Sequence, residues 1–184
     1  MDEQVNRQKG ETTMKRLFQR FIFQVSVIVI TLAMIQLAAV PASAGEYAAL
    51  KDVRGLNSVF DYSLGSAEAA TTIFPAIKGV YEDKNVLALP ARPKTVIVFH
   101  GNAVKLISTA RKDLDEASRK AFDKVVEQIR QFKKDGVTLE VCMYAVNALG
   151  VDPDTLMPEI DRVGNGFISV LGYQAQGYAV VTIQ

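Results

Sequence analysis

The sequence predicts a single α/β domain with a mostly parallel β-sheet and helices on both faces. Two observations predict this class. Strand-like and helix-like segments alternate along the chain, as they do where each strand is followed by a crossover helix. The run "TVIVFH" (95–100) is also continuously apolar and β-branched, which is typical of a strand covered on both faces.

The first two elements lie between residues 56 and 81. "LNSVFDYSLG" alternates apolar and polar residues around Val59 and Phe60 and predicts a strand. "SAEAATTIFPAIKGVY" has apolar residues at helical spacing, with Ser66 as a plausible N-cap. Pro75 lies inside this helix, removes a backbone hydrogen bond and should kink it.

The central part predicts a loop, a strand and the clearest helix. "EDKNVLALPARPK" is interpreted as a loop, and "NAVKLIST", after the apolar strand, fits either a short strand or a turn of helix. "DLDEASRKAFDKVVEQIRQFKKDG" has an apolar stripe that includes Val125 and Ile129, and it ends at Gly136, a natural residue to follow a helix.

The last part predicts a strand, "VTLEVC", followed directly by a short helix, "MYAVNALG". A turn-rich connection, "VDPDTLMPEI", comes next. "GNGFISVLGYQAQG" then predicts a helix, and "YAVVTI" predicts a final strand.

Residues 1–44 form a targeting segment in this interpretation. A basic cluster precedes an apolar run of about 20 residues, and Ala42-Ser43-Ala44 follows as a small-x-small triplet. The segment is therefore either a cleaved signal peptide or an uncleaved N-terminal membrane anchor. Both predict export of the rest, to the periplasm in a Gram-negative bacterium or anchored in the inner membrane. Residues 45–55 are interpreted as a linker and residues 56–184 as the α/β domain.

The charge balance limits the classes of partner. The chain has 21 basic and 20 acidic residues, with no polybasic patch after the apolar run. Nucleic-acid binding is therefore not expected. Membrane contact is expected only through the N-terminal segment, if it is not cleaved.

Three polar residues lie at or near the carboxyl ends of predicted strands: Asp61 near the end of the first, and His100 and Cys142 at the ends of theirs. Carboxyl ends of parallel strands are where ligands and reacting groups gather, so the three side chains converge if their strands are neighbours. Cys142 is the only cysteine and His100 the only histidine. A helix that starts after Cys142 would present backbone N–H groups to the sulfur and favour the thiolate, as would a protonated His100.

Each residue also has a structural interpretation. Cys142 fits a buried, inert thiol; His100 fits a strand-end imidazole bonded to backbone; and Asp61 fits a turn-forming carboxylate. One cysteine excludes an internal disulfide and a C-x-x-C motif, and no spacing predicts a zinc site or a cysteine protease. "GNAVKLIS" is not a P-loop and "GNGFISVLG" is not G-x-G-x-x-G, so neither a cofactor nor a metal is expected.

Four segments of the chain show a family resemblance: the apolar strand ending in His100-Gly101, the "GVTLEVC" strand ending in Cys142, and then "GVDPDTLMP" and "GYQAQGYAVV". In these segments the chain resembles the DsrE/DsrF-like family of sulfur-relay proteins. The similarity runs from about Asn57 to Ile183. It implies a small α/β domain of DsrE-like fold, assembly into homotrimers or hexamers, and sulfur carriage as a persulfide on Cys142. The well-studied members are cytoplasmic, and this chain departs from them in its export segment.

The sequence therefore predicts an exported sulfur-handling protein in sulfur oxidation or trafficking. It would act as a carrier rather than a turnover enzyme, with thiol proteins or small persulfides as donors and acceptors. The alternative is a non-catalytic oligomeric module that binds a ligand or a protein and has an inert Cys142.

Overall fold

Five parallel strands form one sheet in the order β4-β3-β2-β1-β5. The structure is a computed structural model that describes residues 47–111 and 114–184. The strands, in chain order, are β1 (Ser58–Tyr62), β2 (Thr95–Phe99), β3 (Thr138–Cys142), β4 (Asp161–Val163) and β5 (Ala179–Ile183). The predicted α/β class with a parallel sheet is confirmed.

Six α-helices lie in the described part of the chain. They are α1 (Ala67–Glu82), α2 (Lys84–Leu87), α3 (Ala103–Leu106), α4 (Glu116–Lys134), α5 (Met143–Ala148) and α6 (Gly166–Ala175). Short 3₁₀ turns occur at Ala48–Leu50 and Pro153–Thr155. The predicted caps form: the Ser66 hydroxyl accepts from Ala69 N at 3.1 Å, and Gly136, after α4, has a φ of +84°.

One face of the sheet carries the main hydrophobic core, under α1 and α4. Strand side chains such as Tyr62 and Phe99 pack there against Phe74 of α1 and Phe132 of α4. Their rings lie 5.3–6.3 Å apart in tilted or edge-on arrangements, which aromatic pairs prefer.

Pro75 lies inside α1, which continues through it to Glu82. Proline has no N–H to offer the carbonyl four residues earlier, which is that of Thr71. The side-chain amide of Gln128 on α4 donates to that carbonyl instead, at 3.4 Å. The tertiary contact therefore satisfies the group that the proline leaves without a helical partner.

The opposite face of the sheet carries a thinner layer, under α6. Its buried strand residues are Val59, Val96 and Val98, and the α6 side chains Val170 and Tyr173 pack on them only partly buried. Gly166 is the one fully buried residue of α6. Helices thus cover both faces, as predicted, but side chains are buried more extensively under α1 and α4 than under α6.

Two local features differ from the sequence interpretation, and one open alternative is decided. The predicted loop after α1 contains the short helix α2, which the Asp83 carboxylate caps. Of the two alternatives for "NAVKLIST", the turn of helix forms, as α3. The fifth strand, β4, was not predicted, because it has three residues and two of them, Asp161 and Arg162, are charged and exposed on the sheet edge.

Residues 47–55, interpreted as part of a linker, contact the domain. The Tyr47 hydroxyl donates to Asp83 at 3.3 Å, and the Arg54 carbonyl accepts from Ala91 N at 2.8 Å. The predicted targeting segment, 1–44, lies outside the described residues. Within the described ranges, no helix combines the length and apolar character needed to cross a membrane.

Candidate functional site

The strand order brings the three predicted site residues to one edge of the sheet. β3, β2 and β1 are adjacent and parallel; Cys142 ends β3, His100 follows β2, and Asp61 is the fourth residue of β1. The register pairs Val98 with both Asp61 and Glu140. Side chains alternate along a strand, so Asp61, His100 and Cys142 all belong to the face that α6 covers.

Asp61 Oδ1 and His100 Nε2 are in direct contact, which becomes an ion pair when the imidazole is protonated. Both side chains are largely buried, with 17% and 13% of their surface exposed, and neither atom has another hydrogen-bond partner among the described residues. A carboxylate at Nε2 favours the proton on that nitrogen. Nδ1 is then the nitrogen able to exchange a proton with a neighbouring group.

The first turn of α6 covers both His100 and Cys142. The Phe167 ring lies edge-on to the His100 ring at 5.4 Å between centroids. A Cβ built on Gly166 would lie 2.9 Å from the Cys142 Cβ and 3.5 Å from its Sγ. The absence of a side chain at Gly166 is therefore what allows α6 to lie directly on the cysteine.

Cys142 itself is buried, with 4% of its surface exposed. It is the N-cap residue of α5, so the predicted helix start directly after the cysteine is confirmed. α5 is only six residues long. Gly164, just before α6, is tied to α5, because the Tyr144 N–H donates to its carbonyl at 3.0 Å.

Sequence reasoning did not identify a further buried acid in this layer, Glu140. Its Oε1 accepts a 2.6 Å hydrogen bond from the Tyr173 hydroxyl, and its Oε2 is buried without a partner in the described part of the chain. Burial, and next the hydrogen bond to Glu140, raise the pKa of Tyr173. The signal was present: Glu140 is the only charge in the strand "VTLEVC".

A cleft of about 520 Å³ lies at the other edge of the sheet, where β2 and β3 begin. Its lining includes Arg92, Lys94, Tyr81 and Asp135. Ligands of open parallel sheets bind beyond the carboxyl ends of strands, and this cleft is at the amino ends. The edge with Asp61, His100 and Cys142 is therefore the better candidate site. Over residues 47–111 and 114–184, no group of three or more His, Cys, Asp or Glu side chains is arranged to hold a metal ion.

Comparison with solved structures finds similar chains in three organisms. A protein of unknown function from Methanobacterium thermoautotrophicum is 16% identical with a TM-score of 0.54, over 70% of this chain and 99% of that chain. The ychN protein from E. coli is 14% identical (TM-score 0.43, 70% and 99% covered), and a conserved protein of unknown function from Bacteroides thetaiotaomicron is 16% identical (0.44, 69% and 94%). At 16% identity and a TM-score of 0.54, the similarity to the Methanobacterium thermoautotrophicum protein concerns the fold.

No functionally curated protein matches the sequence significantly. The sequence profile of the DsrE/DsrF-like family matches residues 59–183, which include all five strands except Ser58 of β1, and the three predicted site residues. The chain belongs to the DsrE/DsrF-like family.

Proposed function

We propose that the protein carries sulfane sulfur as a persulfide on Cys142, in sulfur oxidation or trafficking. The observation that carries this proposal is the position of Cys142 on the same edge and face of the sheet as the Asp61–His100 pair, in a DsrE/DsrF-like domain. A thiol that served only as a small hydrophobe would need no such polar neighbours.

The transfer needs no cofactor. The Cys142 thiolate attacks the outer sulfur of a donor persulfide, R–S–SH; a new S–S bond forms, the donor S–S bond breaks, and the donor thiolate leaves. An acceptor thiolate then attacks the outer sulfur of the Cys142 persulfide and releases the Cys142 thiolate. His100 takes the thiol proton at the first step and returns a proton to the departing thiolate, while Asp61 stabilises the imidazolium.

The experiment is intact mass spectrometry after incubation of the purified, reduced protein with glutathione persulfide. We expect a gain of about 32 Da, one sulfur atom, that dithiothreitol reverses. Reversal separates a persulfide from oxidation at methionine or to a sulfinic acid, which dithiothreitol leaves in place. Cys142→Ser is the control, since it is nearly isosteric and a hydroxyl cannot form a persulfide.

The same mass spectra test the alternative function, a binding module with an inert Cys142. Its support is the 4% exposure of the cysteine. Wild-type protein that gains no reversible sulfur while remaining folded, together with a Cys142→Ser variant that unfolds, would return Cys142 to a structural role.

The proposed location is outside the cytoplasm, on the strength of the basic, apolar and small-residue segments of residues 1–44. Cell fractionation with N-terminal sequencing tests it, and we expect a mature chain that begins at Gly45. Full-length protein in the membrane fraction would favour the anchor, and full-length protein in the soluble cytoplasm would exclude export.

A further inference from the structure

The layer between α6 and the sheet is the thinnest part of the described fold. Its core consists of three buried valines, Val59, Val96 and Val98, and α6 itself buries only Gly166 completely. The opposite layer buries two long helices through large side chains such as Phe74 and Phe132. Since local opening costs least where few apolar contacts are broken, α6 is the helix on the sheet that detaches most easily.

α6 is also the helix that blocks the proposed chemistry. Gly166 lies on Cys142, and Phe167 lies against His100. In sulfur transfer, the Cys142 sulfur must lie in line with the S–S bond of the donor, so the donor has to reach the cysteine directly. Cys142 is only 4% exposed, so it cannot react while α6 is in place.

Among the described residues, one polar contact ties α6 to the middle of this layer. The Tyr173 hydroxyl donates to Glu140 Oε1 at 2.6 Å, and this is the one hydrogen bond that the buried carboxylate makes with the described residues. Glu140 lies two residues before Cys142 on the same face of β3. The Tyr173 ring also packs on Tyr178, at 5.1 Å between centroids, a contact that does not need the hydroxyl.

We propose that α6 is a movable cover over Cys142 and that the Tyr173–Glu140 hydrogen bond is its latch. The proposal rests on the proposed sulfur-carrier function for its purpose, but the motion itself is independent of sulfur. With α6 closed, the carboxylate depends on one hydroxyl for its solvation; with α6 displaced, water solvates it. Loss of the hydroxyl therefore penalises the closed state alone.

The two sides of the latch predict opposite effects. Tyr173→Phe keeps the ring contact with Tyr178 but leaves Glu140 buried without a donor, which favours opening. Glu140→Gln removes the buried charge and keeps an oxygen that accepts from Tyr173, which favours the closed state. Glu140 and Tyr173 are thus positioning residues that act through α6.

The test is the rate at which excess iodoacetamide alkylates Cys142, the only cysteine, in native buffer. We expect slow labelling of the wild type, labelling about tenfold faster in Tyr173→Phe, and labelling at or below the wild-type rate in Glu140→Gln. Tyr62→Phe is the matched control: its hydroxyl is buried but has no hydrogen-bond partner in the described ranges, and its ring faces the other core. It should label as the wild type does.

Hydrogen exchange of the wild type provides a measurement that needs no variant. Amides of α6 should exchange faster than those of β1, β2 and β3, by opening below the free energy of global unfolding. Equal labelling of Tyr173→Phe and wild type, or α6 amides protected as strongly as the central strands, would overturn the latch. Neither measurement uses a persulfide, so failure of sulfur loading with normal labelling would reject the function and leave the cover standing.

Discussion

Gly166 and Cys142 are packed against each other more closely than any other residue type at position 166 would allow. A Cβ on Gly166 would stand 2.9 Å from the Cys142 Cβ and 3.1 Å from Val98 Cγ1, and real Cβ atoms essentially never approach another atom closer than 3.0 Å. Neither neighbour is the end of a long flexible side chain, so the helix itself would have to move. The contact explains why the chain has glycine at the first position of α6.

Gly166→Ala should lower the free energy of unfolding by about 1–3 kcal/mol, the usual range for overpacking. It should also speed alkylation of Cys142, because the added methyl group lifts the first turn of α6. Gly172→Ala is the matched control in the same helix: nothing lies within 4 Å of a Cβ there, so helix propensity alone should act. That variant should gain up to about 1 kcal/mol. Urea unfolding measures the change in the free energy of unfolding for both variants. Equal changes would show that the close contact between Gly166 and Cys142 is unimportant.

The Asp61–His100 pair predicts a dependence of thiol reactivity on both residues. His100→Ala should reduce the alkylation rate of Cys142 near neutral pH without abolishing it, because the base that takes the thiol proton is lost. Asp61→Asn keeps the shape of the side chain but removes the charge that stabilises the imidazolium, and should reduce the rate less. Hydrogen exchange of α6 in each variant corrects for any change in opening. Unchanged rates after that correction would assign both residues a structural role.

Asp135 predicts a pH dependence of stability. Its Oδ2 accepts from the Tyr81 hydroxyl at 2.6 Å and Lys78 Nζ at 2.9 Å, and its Oδ1 accepts from Gln131 Nε2 at 2.6 Å, which joins α1 to the end of α4. Burial by itself raises the pKa of the Asp135 carboxyl, but these hydrogen bonds outweigh it and hold the pKa below its ordinary value of 3.8. A folded-state pKa below the unfolded one contributes stability above pH 3.8 that is lost as the pH falls through the folded value.

Asp135→Asn should therefore lower the free energy of unfolding at neutral pH, by up to about 1 kcal/mol for so accessible a network. The difference from the wild type should shrink as the pH falls below the ordinary carboxyl pKa. Asp154→Asn is the control, since the Asp154 side chain is exposed and makes no hydrogen bond within the described residues. Chemical unfolding at several pH values measures both, and a constant difference across the range would contradict the assignment.

The outer face of α6 predicts self-association. Ile168 and Leu171 of α6 are apolar and 64–69% exposed, and Tyr144 of α5 is 69% exposed. Adjacent exposed apolar side chains mark interaction surfaces, and closed symmetry is the usual outcome for copies of one chain. We expect a trimer or hexamer of residues 45–184 by light scattering at micromolar concentration. Since such assembly would hold α6 closed, the alkylation and hydrogen-exchange tests of its opening are made at concentrations where the chain is monomeric.

Leu171→Glu should shift that assembly to monomers, because a charge would be buried in the contact. Leu87→Glu provides the comparison, since Leu87 is also exposed, at 48%, but lies on α2. It should leave the assembly unchanged. A monomeric wild type, or equal dissociation of both variants, would contradict association through α6.

The elements that could be predicted from the sequence are those with strong local patterns. β2 is apolar throughout, α4 has an amphipathic stripe ending at Gly136, and Cys142 sits at a junction between strand and helix, so each was identified correctly. β4 has no such pattern: two of its three residues are charged, and it forms only because β3 offers a free edge for pairing. α2 is a single capped turn, too short to have a detectable period.

Local sequence likewise determined which polar residues lie at or near strand ends, and only the tertiary structure decided which of them meet. The order β3-β2-β1 placed Asp61 against His100 and put Cys142 on the same face, since residues far apart in the chain become neighbours only through strand pairing. The contacts of α6 arise in the same way: Gly166 on Cys142, and Tyr173 on Glu140. Periodicity predicts that a helix exists, but the burial of the cysteine depends on the side of the sheet to which that helix returns.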